Sequence, residues 1–212
     1  MTIHPNVADR YADLLLGSML LELGDHVGVF YRGEEERDAF VIPVIASALS
    51  AGCGVVFVCD RSEPDAVARQ LQAASIDVGA ALERQQLHLF GGTDAYVGDG
   101  RFEPQRTVDF YRRTAEASAA RGYPVLCVIG EMSWSLSDCP GTERLLEYEA
   151  LYAEHFSRAS TITLCLYDLD QTGGGQILDL LRLHARVVLN GMEMQNPHVE
   201  PDLLFRDPVD RA

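Results

Sequence analysis

Six short runs of apolar, often β-branched residues punctuate the chain: His26–Tyr31 (HVGVFY), Gly54–Asp60 (GVVFVCD), Gln86–Phe90 (QLHLF), Pro124–Gly130 (PVLCVIG), Thr161–Tyr167 (TITLCLY) and Arg186–Leu189 (RVVL). Most are nearly continuous rather than alternating, the pattern of strands buried on both faces. Helical spacing fills the gaps between them. Strand and helix therefore alternate, which predicts an α/β fold: a three-layer, mostly parallel sheet with helices on both faces.

Between the first two runs, Phe40, Val41, Val44, Ile45 and Leu49 recur at helical spacing and Gly52 is a natural stop. Pro43 conflicts with this helix, because proline removes an interior hydrogen bond; the helix is expected to start late or kink there. Pro64 opens a helix through about Ala74, and Pro104 opens another that ends near Gly122. A fourth follows Pro140-Gly141, with Thr142 as N-cap and an inward stripe of Leu145, Glu149, Tyr152 and Phe156, running to about Ser157. Gly173-Gly174-Gly175 reads as a solvent turn, or a loop able to move over a site. The expected organisation is a helical segment over residues 1–24, one α/β domain over 25–191, and an extended tail over 192–212 containing Pro197, Pro201 and Pro208.

Charge narrows the partners. The net charge is −15, and the 17 Lys and Arg residues are scattered singly. Nucleic-acid binding needs a clustered cationic surface, so none is expected. The apolar run Leu14–Leu21 is too short to span a bilayer, and Asp9, Asp13 and Glu22 around it do not suit a signal peptide. A cytoplasmic protein without membrane contact is the expectation. Cys53, Cys59, Cys127, Cys139 and Cys165 form no CxxC pair, which argues against a disulfide framework or a zinc site.

In an open parallel sheet, ligands bind where the carboxyl ends of the strands meet helix N-termini. A nucleotide-binding chain would carry G-x-x-x-x-G-K-[ST] after the first strand. Here that segment reads Tyr31-Arg32-Gly33-Glu34-Glu35-Glu36-Arg37-Asp38, with one glycine, no lysine and three consecutive carboxylates where backbone amides should cradle phosphate. The Glu34–Glu36 run is a solvated face or a contact for a basic partner. Ser133 and Ser135 lack a G-x-S-x-G elbow, so hydrolase chemistry is not expected.

The stretch Ala51–Tyr96 resembles the part of KaiC-like ATPases that follows the P-loop helix. In that comparison the catalytic glutamate pair falls at Arg61 and Ser62, and the magnesium-holding aspartate at Gly130. A closer resemblance is to the MEDS domain, a methanogen/methylotroph sensory domain first described in a dichloromethane-responsive regulator. It is carried by His26–Tyr31, the turn Tyr96–Pro104, Gly130-Glu131-Met132-Ser133-Trp134, Glu147-Tyr148-Glu149-Ala150, Cys165–Asp168 and His184, and spans about residues 25–190. The resemblance implies a degenerate RecA/KaiC-like fold and a non-catalytic sensory or regulatory domain. Such a domain would bind a small organic ligand and signal through a regulatory protein partner, with self-association; the alternative is a residual nucleotide-binding protein or ATPase.

The expected ligand site gathers Tyr31, Arg32, Glu131, Ser133, Trp134, Tyr167 and Asp168 at the strand ends, over the space a triphosphate would fill. Acidic and aromatic residues there favour a neutral or cationic organic molecule. The competing reading makes Glu131 a turn cap and Trp134 part of the core. Glu149, on the inner stripe about two turns into its helix, is expected to make a structural hydrogen bond. His26 and His184 open their strands, opposite the expected pocket, and are assigned structural roles. Without a third convergent ligand no metal is assigned, and no cofactor.

Overall fold

The computed structural model describes residues 14–199. A hairpin comes first, β1 (Leu14–Leu16) and β2 (Met19–Leu21). It is followed by β3 (His26–Tyr31), α1 (Gly33–Ser50), β4 (Gly54–Cys59), α2 (Pro64–Ala73), α3 (Val78–Glu83) and β5 (Leu87–Gly91). The second half runs α4 (Gly92–Tyr96), α5 (Pro104–Ala120), β6 (Leu126–Glu131), α6 (Leu145–Phe156), β7 (Thr161–Asp168), α7 (Gly174–Leu181), β8 (Arg186–Leu189) and β9 (Met192–Gln195).

Seven strands form one sheet in the order β5-β4-β6-β7-β3-β8-β9. All neighbours are parallel except β9, which returns antiparallel on β8. The expected α/β architecture is present, and every apolar run becomes a strand of this sheet.

Because side chains alternate along a strand, each strand serves two cores. Val27, Val29 and Tyr31 of β3, with Ile162, Leu164 and Leu166 of β7, face α1, α2, α3 and the hairpin in a mainly aliphatic core. Phe30, Cys165 and Tyr167 face the opposite side. There α4 to α7 contribute an aromatic core around Tyr96, Tyr111, Tyr148, Tyr152 and Phe156.

Several elements differ from the sequence reading. The helical segment expected over residues 1–24 is a hairpin where it is described: Gly17 turns at φ 61°, Leu14, Leu16, Met19 and Leu21 are buried, and Leu15 and Leu20 are exposed. That is the period of two, not of a helix. Residues 1–13 lie outside the described residues. Helix α1 starts early and runs unbroken through Pro43. Pro43 is on the exposed side of the helix, where water can satisfy the carbonyl it deprives, while Val41, Val44, Ile45 and Ala48 anchor the other side. Thr142 does not cap α6. It sits in a preceding 3-10 turn and donates to the Cys139 carbonyl at 2.9 Å. Gly174 and Gly175 open helix α7 rather than a free turn. The first part of the expected tail, Met192–Gln195, is extended but paired to β8; residues 200–212 lie outside the described residues. No helix among the described residues is long and apolar enough to cross a membrane.

Candidate functional site

The carboxyl ends of β3, β4, β6 and β7 come together, with β6, β7 and β3 side by side. Only Arg32 separates the end of β3 from the start of α1. No loop is left there to wrap a phosphate, and the second turn of α1 instead delivers Arg37 across the strand ends. Arg37 and Glu131 form a fully buried ion pair at 2.6 Å. The other Glu131 oxygen accepts the backbone amides of Asp60 at 2.6 Å and Arg61 at 3.0 Å, the residues that leave β4. Two buried charges need this degree of satisfaction to be tolerated. Burial lowers the Arg37 pKa, but the charge of Glu131 and hydrogen bonds to Asp38 and Glu131 outweigh it and hold it above the ordinary arginine value.

The network continues outward. Ser133 Oγ donates to Asp60 at 2.7 Å, and burial, with Glu131 adding to it, raises the Asp60 carboxyl against the opposing Ser133 bond. Asp168 accepts from Arg61 at 3.2 Å, from the Gln171 side chain at 2.7 Å and from the Asp170 amide at 3.0 Å. Arg32 pairs with Asp170 at 2.7 Å in the open, where such a bridge contributes little. Tyr31 is buried beside this network, its phenol pushed up by burial and by the charges of Glu131 and Asp168. Tyr31 also lines a cleft of about 480 Å³ with Phe40, Glu36, Ser18, Val188 and Asn190.

The structure therefore splits the expected ligand site. Tyr31, Glu131, Ser133 and Asp168 gather around one network, with Arg32 at its exposed margin. Trp134 and Tyr167 do not join them. Tyr167 neighbours Asp168 on a strand and must face the other way. Its ring stacks on Phe30 at 5.4 Å. Trp134 stacks on Tyr96 at 4.6 Å and packs on Phe102 at 4.3 Å, a core position as the competing reading held. The space over Glu131 is likewise not vacant, because the Arg37 guanidinium stands in it. Arg37, Asp60 and Arg61 are functional candidates that the sequence reading did not assign to the site. Asp60 and Arg61 follow the carboxyl end of β4, a position that the strand-end rule singles out, whereas Arg37 carried no such signal.

A second cluster lies at the opposite face of β3 and β7. Tyr167 Oη donates to Glu149 Oε1 at 2.7 Å, the structural hydrogen bond expected of Glu149. Its other oxygen meets His26 Nε2 at 3.1 Å and His184 Nε2 at 3.8 Å. His26 opens β3 as expected, whereas His184 lies in the connection before β8 rather than at a strand start, and the two converge on this carboxylate and on Cys165, a convergence that the sequence reading did not find. Burial raises the Glu149 carboxyl, but His26 first, then His184 and Tyr167, lower it below its ordinary value. Burial and the His26 charge press the His184 ring down to about 4. Burial and the Glu149 charge hold the Cys165 thiol well above its ordinary value.

The sequence profile of the MEDS family, the methanogen/methylotroph, DcmR sensory domain, matches residues 25–185. No curated protein matches the chain. Among solved structures, a KaiC-like protein from the archaeon Pyrococcus horikoshii superimposes with a TM-score of 0.57 at 12% identity, covering 79% of this chain and 71% of that one. An uncharacterised protein from Pyrococcus horikoshii, crystallised in complex with an unknown peptide, gives 0.63 at 14% identity, covering 79% and 77%. At such identity the likeness establishes a shared fold, the KaiC/RecA-like one.

Proposed function

Because this chain belongs to the MEDS family of sensory domains, we propose that it works as a non-catalytic cytoplasmic sensor that binds a small organic molecule and passes its state by contact to a regulatory protein. The observation that carries this reading is the buried Arg37–Glu131 pair. A triphosphate would have to displace a guanidinium already neutralised by a carboxylate, and no strand-to-helix loop offers amides in exchange.

The ligand seat we favour is the cleft beside Tyr31. Val29, Phe40 and Val188 give it apolar walls, while Ser18, Glu36 and Asn190 supply a few polar groups. The carboxylate of Glu36 and the aromatic rings favour a neutral or cationic guest over an anion. A change of packing between β3, β8 and the start of α1 would reach the surface directly, which suits signalling to a partner or a second copy of the chain.

Thermal unfolding with and without magnesium-ATP tests the non-catalytic half, since any ligand of the native state raises its stability by mass action. No shift and no phosphate release are expected; a saturable shift or turnover would establish the alternative, a residual nucleotide-binding protein. Native mass spectrometry of freshly purified protein tests the other half. A retained small molecule that is lost in Phe40→Ala supports the cleft, and one held unchanged by that variant removes it.

A further inference from the structure

Four side chains of types that can ligate metals, from four separate stretches of the chain, meet inside the aromatic core. His26 opens β3, Glu149 lies in the second turn of α6, Cys165 is central in β7, and His184 sits between α7 and β8. Their nearest ligand atoms all lie within 4.8 Å of one another. His26 Nε2 is 3.1 Å from Glu149 Oε2 and 3.2 Å from Cys165 Sγ. Glu149 Oε2 is 3.8 Å from both Cys165 Sγ and His184 Nε2. Ligands held about 2.0–2.3 Å from a tetrahedral zinc ion stand about 3.3–3.8 Å apart. The side chains are thus already near the spacing of a coordination tetrahedron.

We propose that His26, Glu149, Cys165 and His184 bind one divalent cation of borderline softness, zinc being the best match. The donor set selects for it: imidazole and thiolate suit zinc and its transition-metal neighbours, and a thiolate disfavours magnesium and calcium. Charge closes as well. One thiolate and one carboxylate neutralise a divalent ion, so the filled centre carries no net charge into a core where Glu149 and His184 are fully buried.

The surroundings are arranged for ligation. His184 Nδ1 donates to the Leu180 carbonyl at 2.8 Å, which fixes the tautomer that leaves a bare lone pair on Nε2. That Nε2 is buried without a hydrogen-bond partner. Tyr167 restrains the second Glu149 oxygen, as outer-shell donors do around metal ligands. Four protein ligands and no open position describe a closed, structural type of site. Entry of the ion sends the Cys165 thiol proton to solvent and leaves His26 with its ring hydrogen on Nδ1.

This inference does not rest on the sensory reading, and its test is independent of any organic ligand. The full chain is analysed for metal by mass spectrometry as purified, stripped with a chelator, and titrated with zinc and then cobalt(II). One equivalent of metal per chain is expected, with the visible bands of tetrahedral cobalt and a thiolate charge-transfer band in the near ultraviolet. Cys165→Ser, with its fold checked by near-ultraviolet circular dichroism, is expected to lose that band and to bind zinc at least about tenfold more weakly. A wild-type protein that takes up neither zinc nor cobalt overturns the proposal, whether or not the variant folds. So does a charge-transfer band that survives in Cys165→Ser.

Discussion

Gly28 and His184 are fitted to one another: a Cβ at position 28 would lie 3.0 Å from Cγ of the His184 ring. Gly28 pairs with Cys165 across β3 and β7, so the missing side chain opens the room that the imidazole occupies. Gly28→Ala keeps a strand backbone that alanine can adopt but forces the ring to move. Overpacking of this kind costs about 1–3 kcal/mol. Zinc affinity is expected to fall by about tenfold or more, because the displaced Nε2 no longer meets Glu149. Denaturant unfolding of the metal-free protein and a zinc titration measure the two effects. Unchanged values for both would show that His184 is not held by this contact.

Tyr167→Phe removes one hydroxyl from the second Glu149 oxygen and nothing from the stacking on Phe30. Zinc and cobalt affinities should drop by about 10–100-fold. Near-ultraviolet circular dichroism should stay native. Competition with a chromophoric chelator reads the affinity directly.

Arg37→Met leaves the Glu131 carboxylate buried beside an apolar side chain. A loss of about 3–5 kcal/mol is expected from urea unfolding, the usual cost of breaking a buried pair on one side. The double variant Arg37→Met with Glu131→Gln should recover part of it. Glutamine can still accept the Asp60 and Arg61 amides, and its own amide no longer opposes a guanidinium. A double variant less stable than Arg37→Met alone would show that the carboxylate was not the source of the penalty.

Asp60 sets a pH dependence whose sign follows from its environment. Burial first, and then the charge of Glu131, raise its carboxyl above the unfolded value, against the Ser133 hydrogen bond. The folded state therefore takes up the proton before the unfolded state does as pH falls. Asp60 penalises stability at neutral pH, and the penalty disappears as pH falls through the folded pKa to below the unfolded one. Asp60→Asn keeps an acceptor for Ser133. It should be more stable than wild type at pH 7, and the advantage should shrink in acid. A difference that grows as pH falls would reverse the assigned sign.

The strands were legible because burial on both faces leaves unbroken apolar runs, and the starts of α2 and α5 because Pro64 and Pro104 occupy first-turn positions. The hairpin was not. Leu14–Leu21 contains enough leucine to satisfy a helical face, and only Gly17 with its positive φ marks the reversal. Strand parity was the signal left unused in the site. Tyr167 and Asp168 cannot share a face, whereas Cys165 and Tyr167 must, and that parity places the thiol beside Glu149 and the two histidines. Arg37 was hidden for a different reason. Its partner Glu131 is 94 positions away, and nothing local distinguishes a buried arginine at the start of a helix from a solvated one.

Trp134 is the chain's sole tryptophan. Sandwiched with Tyr96 and Phe102, it is an optical gauge of one side of the sheet only. Selective excitation should give blue-shifted emission while that aromatic layer stays dry and a red shift when water enters it. The layer holds the histidines and Cys165; the Arg37–Glu131 pair and the cleft beside Tyr31 lie across the strands. A molecule that protects α1 from hydrogen exchange yet leaves the emission untouched has thereby been assigned to a side without a crystal.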